Sequence, residues 1–183
     1  MMFDKPMSFS GKHADYLRHL APSKKAGESK IQRSTIFASN IEVLKAAPVV
    51  GFLFERMGEV DHDNSITANT IFLEQVLKIQ KSLMQNYRLI MLLHDKDKTS
   101  VDERINRAFR YDRQPDKRSY GDKVFEQYML GGIEVLYEEL IEGKDSLDED
   151  VRGVAEFLMT CQNMFGSKFS MDRIDQLCSN SRI

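Results

Sequence analysis

Two neighbouring features of the sequence carry residue types that could do chemistry. The first is "HDKDKT", residues 94–99, in which Asp95 and Asp97 follow an apolar run. A D-x-D-x-T pattern after a buried strand is typical of phosphotransferases in which one aspartate attacks phosphorus and the other moves a proton. The preceding residues have the spacing of a helix, and the chain lacks the alternating strands and helices of such enzymes. We therefore interpret these aspartates as part of a polar connector between two helices.

The second feature is a row of basic residues that begins after this connector. Three arginines recur at every third position of a predicted helix and so share one broad face. Three further cations continue the charge into "YDRQPDKRSYGD", residues 111–122, which is predicted to be a loop. Guanidinium groups bind phosphate through paired hydrogen bonds, so the pattern predicts contact with a nucleic-acid backbone, without any base-reading signature. The predicted binding residues are Arg104, Arg107, Arg110, Arg113, Lys117 and Arg118.

The chain also contains a possible partner for this basic row. Residues 122–150 hold ten acidic residues against two lysines. The arginines could therefore pair with the acidic residues 134–150 of the same chain or of a second copy. They could also dock against an acidic face of a larger ATPase or nuclease subunit. Nucleic-acid binding and protein–protein docking both remain open interpretations.

Composition bounds the remaining choices. The 183 residues suffice for one domain with a core, and the net charge of −2 does not mark a strongly basic nucleic-acid binder. No apolar run approaches the roughly 20 residues of a membrane span, and no signal peptide is recognisable, so we expect a cytoplasmic protein. Cys161 and Cys178 are too few for a disulfide framework or a cysteine zinc site.

Neither a cofactor nor a metal ion is expected. The histidines show no metal-ligand spacing on one helix face, and "DHDN", residues 61–64, is interpreted as a turn. No arrangement of nucleophile and base can be argued from residue order. The four histidines are His13, His19, His62 and His94.

The pattern along the chain predicts one mostly α-helical domain of five to seven helices, residues 34–183, preceded by a flexible basic arm, residues 1–33. Ser34 or Thr35 can cap the first helix, Pro48 should kink or split it, and Gly58 should end it. A short extended segment is expected near 66–71, followed by helical spacing over 73–94 that could break into two helices near Asn86. Capping boxes at Ser100 and Ser146 should each open a helix, and another helix should span 123–142 between them. Ser170 should cap a last short helix.

Gly131 and Gly132 interrupt an otherwise good helix. Each glycine should cost that helix about 1 kcal/mol relative to alanine. We therefore expect another backbone to pack closely here, where a side chain would not fit, and the kinked helix at Pro48 is the proposed neighbour.

Three segments together resemble a known family. They are "STIFASNIEVLKAAPVVGFL", "NYRLIMLLHDKDKTSVDERINRAFR" and "VFEQYMLGGIEVLYEEL", and the last shares Tyr128, Gly131, Gly132 and Glu134 with the family pattern. In this order they resemble the small proteins associated with Dnd systems, which mark bacterial DNA with phosphorothioate and use the mark in defence against phage. The resemblance covers residues 34 to about 142.

The resemblance implies a non-catalytic accessory role in a bacterial DNA-modification or anti-phage system. In this interpretation the basic residues 104–118, assisted by the N-terminal arm, bind DNA backbone or a DNA-bound partner such as a larger subunit of a defence complex. The alternative is a protein–protein adaptor or homo-oligomeric scaffold that uses the basic and acidic faces without touching DNA.

Overall fold

A computed structural model describes residues 2–21, 36–144 and 146–166. Within these ranges the chain forms six α-helices and one short sheet, which confirms the predicted mostly helical fold. No helix in these ranges combines the length and the apolar character that a bilayer span requires. The helices are α1 (Gly11–Leu20), α2 (Asn40–Leu53), α3 (Leu73–Leu93), α4 (Val101–Ile105), α5 (Pro115–Leu140) and α6 (Leu147–Gly166), and the strands are β1 (Met7–Phe9) and β2 (Asn69–Ile71).

Helix α5 lies at the centre of the fold and packs most extensively against α2. A Cβ atom added to Gly132 would overlap the carbonyl oxygen of Ala47, and one added to Gly51 would overlap that of Tyr128. The predicted close packing of the paired glycines beside Pro48 is therefore confirmed. The predicted split of the helix is wrong, because α2 runs without interruption through Pro48.

The prediction of a flexible arm is wrong for residues 2–21. Phe3, Leu17 and Leu20 are fully buried, and the Phe3 ring contacts those of Tyr87 and Phe125, with centroids 6.4 and 5.4 Å apart. These apolar side chains outweigh the polar composition of the segment, because their burial stabilises an ordered helix. The rest of the expected arm, residues 22–33, and the expected cap at Ser34 or Thr35 lie outside the described residues.

The ordered N-terminal segment also completes the sheet. The extended segment predicted near 66–71 is confirmed as β2, which pairs antiparallel with β1. Met7 lies opposite Ile71 and Phe9 opposite Asn69. Strand β1 was not predicted, since three residues between a Pro and a Ser are too few to show a period.

Helix boundaries differ from the predicted ones where tertiary contacts decide them. Helix α3 is continuous through Asn86, whose side-chain amide donates to the carbonyl oxygen of Lys45 at 2.8 Å. Helix α2 ends at Leu53, and the amide of Gly58 instead donates to the carbonyl oxygen of Gln127 at 2.8 Å.

The capping predictions can be tested at two helix starts. The capping box at Ser146 is complete, since Ser146 and Glu149 each accept a hydrogen bond from the other's backbone N–H. At Ser100 only half of the predicted box forms, because the side chain of Glu103 turns to other partners. The helix expected after Ser170 lies outside the described residues.

Candidate functional site

The basic row is positioned by a short helix, a π-helical turn and the start of α5. The hydroxyl of Ser100 accepts a hydrogen bond from the backbone N–H of Glu103 at 3.3 Å and opens α4. A π-helical turn, Asn106–Arg110, follows α4 directly. Pro115 stands in the first turn of α5, where its missing N–H does no harm, so the predicted loop shrinks to residues 111–114.

Two of the predicted binding residues, Arg104 and Arg107, are engaged in hydrogen bonds within the protein. Nη1 of Arg104 donates to the carbonyl oxygen of Leu92 at 2.7 Å. Nε of Arg107 donates to Oε1 of Glu103 at 3.1 Å, and its guanidinium lies 4.6 Å from the centroid of the Tyr120 ring. These contacts brace the end of α3 and the start of α5 against α4, so neither arginine offers a free guanidinium to a ligand.

Arg118 is not a surface residue. Only 4% of its side chain is exposed, and it donates to Asp112 Oδ1 at 3.0 Å and to Asp122 Oδ1 at 2.9 Å. Its guanidinium lies 4.8 Å from the centroid of the Tyr87 ring, and burial raises the pKa of that phenol to about 12. The loop prediction concealed this, because the start of α5 turns Arg118 inward and its neighbours outward.

Three of the predicted binding residues remain on the surface. Arg110, Arg113 and Lys117 are exposed, and none has a carboxylate within ion-pair distance among the described residues. Nη1 of Arg110 donates to the side-chain oxygen of Asn106 at 2.9 Å, and Nζ of Lys117 lies 5.2 Å from the centroid of the Tyr111 ring. We call Arg110, Arg113 and Lys117 the exposed basic cluster.

The apolar face expected opposite the arginines is only partly buried. Ala108 is fully buried, but 48% of Phe109 is exposed. The π-helical turn rotates Phe109 out of the α-helical register, and its ring lies 5.4 Å from the guanidinium carbon of Arg88. An exposed aromatic ring therefore adjoins the basic row.

The acidic residues near these cations are not those expected. Glu103, Asp112 and Asp122 pair with the inner arginines, whereas no residue of the segment 134–150 does so within the described ranges. A hydrogen bond from Tyr111, at 2.8 Å, together with that of Arg107 lowers the pKa of Glu103. Part of the basic row is therefore neutralised within the chain, as one interpretation expected. The carboxylates that do so are Glu103, Asp112 and Asp122, not those of residues 134–150.

The aspartates of "HDKDKT" belong to the turn between α3 and α4. The carbonyl oxygen of Asp95 accepts hydrogen bonds from the amides of Lys98 and Thr99, both at 2.9 Å. His94 contacts the hydroxyls of Tyr128 and Tyr120 at 3.1 and 3.2 Å. The part of the chain that the structure describes holds no group of three metal-ligating side chains there or elsewhere.

A buried ionic cluster was missed by the sequence reading. Glu134 on α5 is only 6% exposed, and its carboxylate lies 2.9 Å from Nζ of Lys12, 3.0 Å from Nε2 of His13 and 3.7 Å from Nη1 of Arg56. Asp61, from the "DHDN" turn, supports the same place by accepting the backbone N–H of Lys12 at 2.8 Å. The sequence feature that could have indicated this cluster is Glu134 itself, which stands among the apolar residues of α5.

Burial and hydrogen bonding set the protonation states of this cluster. Burial lowers the pKa of His13 and outweighs the opposing effect of Glu134, so the imidazole is neutral near pH 7. Burial alone would raise the pKa of Glu134, but hydrogen bonds from Lys12 and His13 lower it overall. With Glu134 ionised, Nε2 of His13 must carry the hydrogen, and Nδ1 keeps its lone pair.

A cavity of about 650 Å³ lies between the N-terminal segment and α5. Residues 5–10 line one wall, and the opposite wall includes Arg118, Ser119 and Met129. His13 also contributes to the wall, with Glu134 behind it. This size is typical of pockets that hold small molecules or short peptide segments.

Comparisons with protein-family models, with curated proteins and with solved structures gave no match for this chain.

Proposed function

We propose that the protein is a non-catalytic accessory factor that contacts the phosphate backbone of DNA through the exposed basic cluster. The observation that carries the proposal is that Arg110, Arg113 and Lys117 are exposed and lack a carboxylate partner in the described part of the chain. Cations without an internal carboxylate partner can replace the counterions of a phosphate backbone. The resemblance to Dnd-associated proteins suggests the setting, a bacterial DNA-modification or anti-phage system.

The proposed site is smaller than the six residues that the sequence indicated. Arg104, Arg107 and Arg118 now have a structural role, because each is tied to a neighbouring element. Three phosphate contacts give modest, salt-sensitive binding without base discrimination. Such affinity suits a subunit that acts beside a larger DNA-binding partner.

The experiment measures fluorescence anisotropy of a labelled DNA duplex at several salt concentrations. The double variant Arg113→Glu/Lys117→Glu should bind about tenfold or more weakly at low salt, and the slope of log affinity against log salt should fall by about two. The matched control, Lys78→Glu/Lys81→Glu, changes the charge equally on the exposed face of α3 and should have little effect. If both double variants lost DNA affinity equally, the loss would come from the change in net charge alone, and the proposal would be contradicted.

A specific observation supports protein–protein docking as the second candidate. Phe109 is half exposed beside Arg88 and the basic turn, and exposed aromatic and arginine side chains are enriched at protein interfaces. In this case the partner is a second copy or a larger subunit with an acidic surface. Sedimentation should then show self-association that weakens with salt and that Phe109→Ala reduces, without DNA present.

A further inference from the structure

We propose that the cavity beside β1 binds an extended peptide segment of a partner protein, which adds a third strand to the sheet. The exposed basic cluster adjoins this cavity along the chain, but Arg113 and Lys117 do not line it, and the proposal does not depend on DNA binding. It follows from the position of the cavity along the strand, the unpaired edge of that strand and the mixed chemistry of the walls.

The cavity runs along an edge of β1. A strand points alternate side chains to opposite faces of its sheet, so a cavity against one face would be lined by every second residue. Here all three residues of β1, Met7 to Phe9, line it, together with Lys5, Pro6 and Ser10 outside the strand. No residue of β2 does so, and the cavity therefore lies on the side of β1 away from its paired strand.

That edge of β1 has no backbone partner within the described residues. In the part of the chain that the structure describes, the sheet has two strands, and the backbone of β1 is hydrogen-bonded to β2 alone. An open strand edge presents a row of N–H and C=O groups that another extended chain can pair with. Since β1 has 3 residues and a strand rises about 3.3 Å per residue, roughly three to five peptide residues would pair with it.

The walls fit a peptide better than a uniformly charged ligand. Three basic side chains (Lys5, Arg118, Lys123) are balanced by three acidic ones (Asp112, Asp122, Glu126). The buried floor is apolar at Phe9, Met129 and Leu130. A peptide supplies this combination, with a backbone of alternating donors and acceptors and an apolar side chain for the floor.

The test is selection of linear peptides from a random phage-displayed library on the full chain, followed by resynthesis of the selected sequences. Binding of each free peptide is measured by isothermal titration calorimetry. Methylation of alternate backbone nitrogens should weaken binding about tenfold or more, because it removes the donors that pair with the strand edge. Methylation of the intervening nitrogens, which face away from β1, should have little effect.

Two tryptophan variants locate the peptide. Ser119 is an exposed wall residue, so Ser119→Trp fills the cavity without replacing a core residue and should abolish binding. Glu156→Trp places the same side chain on the exposed face of α6 and should leave binding unchanged, with both variants checked for unfolding by circular dichroism.

Three results would overturn the proposal. They are a selection that yields no peptide above background, peptides that bind Ser119→Trp as tightly as the parent chain, and peptides that tolerate methylation at every backbone nitrogen. Self-association that Ser119→Trp abolishes would make a second copy the occupant instead, and would also contradict it. None of these results affects the DNA proposal, because Arg113 and Lys117 do not line the cavity.

Discussion

Nε2 of His13 lies 3.0 Å from Oε1 of Glu134, although 121 residues separate them along the chain. The contact joins α1 to the C-terminal half of α5, and His13 is almost fully buried. Because the imidazole is neutral and the carboxylate is ionised, this is a hydrogen bond to a charged acceptor. Lys12 supplies the positive charge that helps to keep the buried carboxylate ionised, and Arg56 lies farther away, at 3.7 Å.

The first prediction is that the protein loses stability as the solution becomes acidic. Burial lowers the pKa of His13 below its usual 6.5, so the unfolded state binds that proton more readily. The stabilisation is present above about pH 6.5 and declines as the pH falls through the lowered folded value. Glu134, whose pKa is lowered from 4.5, adds a second loss below about pH 4.5.

Thermal unfolding followed by circular dichroism from pH 7.5 to 4 measures this effect. His13→Gln should flatten the slope just below pH 6.5 but not abolish it, because burial also lowers the pKa of His94. The control His19→Gln removes a ring that is 44% exposed and should leave the slope unchanged. A slope that is the same in the parent and in His13→Gln would contradict the assignment.

The second prediction separates the buried carboxylate from its exposed neighbour. Glu134→Gln should lower the free energy of unfolding by about 1–3 kcal/mol, because His13 keeps an acceptor but Lys12 and Arg56 lose a buried charge. Glu138→Gln removes a partner of the same Arg56 at an exposed position, and should cost less than about 0.5 kcal/mol. Urea denaturation of the two variants provides the comparison, and equal losses would mean that the buried carboxylate has no special role.

The third prediction concerns the helix crossing at the glycines. Gly132→Ala should cost about 3 kcal/mol, since its Cβ would overlap the backbone of Ala47 and force α2 and α5 apart. Gly143 has open space around it but a φ of +70°, so Gly143→Ala should cost only about 1–2 kcal/mol of backbone strain. Differential scanning calorimetry ranks the two, and the reverse order would contradict the close packing.

The fourth prediction distinguishes the inner cations from the exposed ones. Arg118→Met should destabilise the protein by about 2–3 kcal/mol, because Asp112 and Asp122 would keep their charges without a buried partner. Arg110→Met removes an exposed cation whose contact is with Asn106, and should change stability by less than about 0.5 kcal/mol. Guanidinium denaturation tests both, and a large loss at Arg110 would remove it from the exposed basic cluster.

Much of the fold could be predicted from local pattern alone. The spacing of apolar residues indicated α2, α3 and most of α5, the turn formers and β-branched residues before Ile71 indicated β2, and the cap at Ser146 indicated the start of α6. The paired glycines indicated a backbone crossing because only close packing offsets their cost in a helix. These inferences need no knowledge of distant residues.

What the sequence did not reveal depends on long-range contacts. The N-terminal segment is polar on average, and only its partners on α3 and α5 make the burial of Phe3 evident. Arg118 has the same charge as Lys117, and the turn that starts α5 decides which of them faces Asp122. The π-helical turn likewise exposes Phe109, whose apolar character predicted the opposite.

The seating of Phe3 between Tyr87 and Phe125 also has a consequence for biosynthesis. A nascent chain leaves the ribosome with its amino end first, so residues 2–21 emerge long before α5 has been synthesised and can pack against them. Until about residue 134 has left the exit tunnel, Phe3, Leu17 and Leu20 have no complete site and stay open to chaperones or to aggregation. This chain can therefore fold fully only after segments that are distant in sequence come together. Its folding rate should be lower than that of a helical bundle with only local contacts.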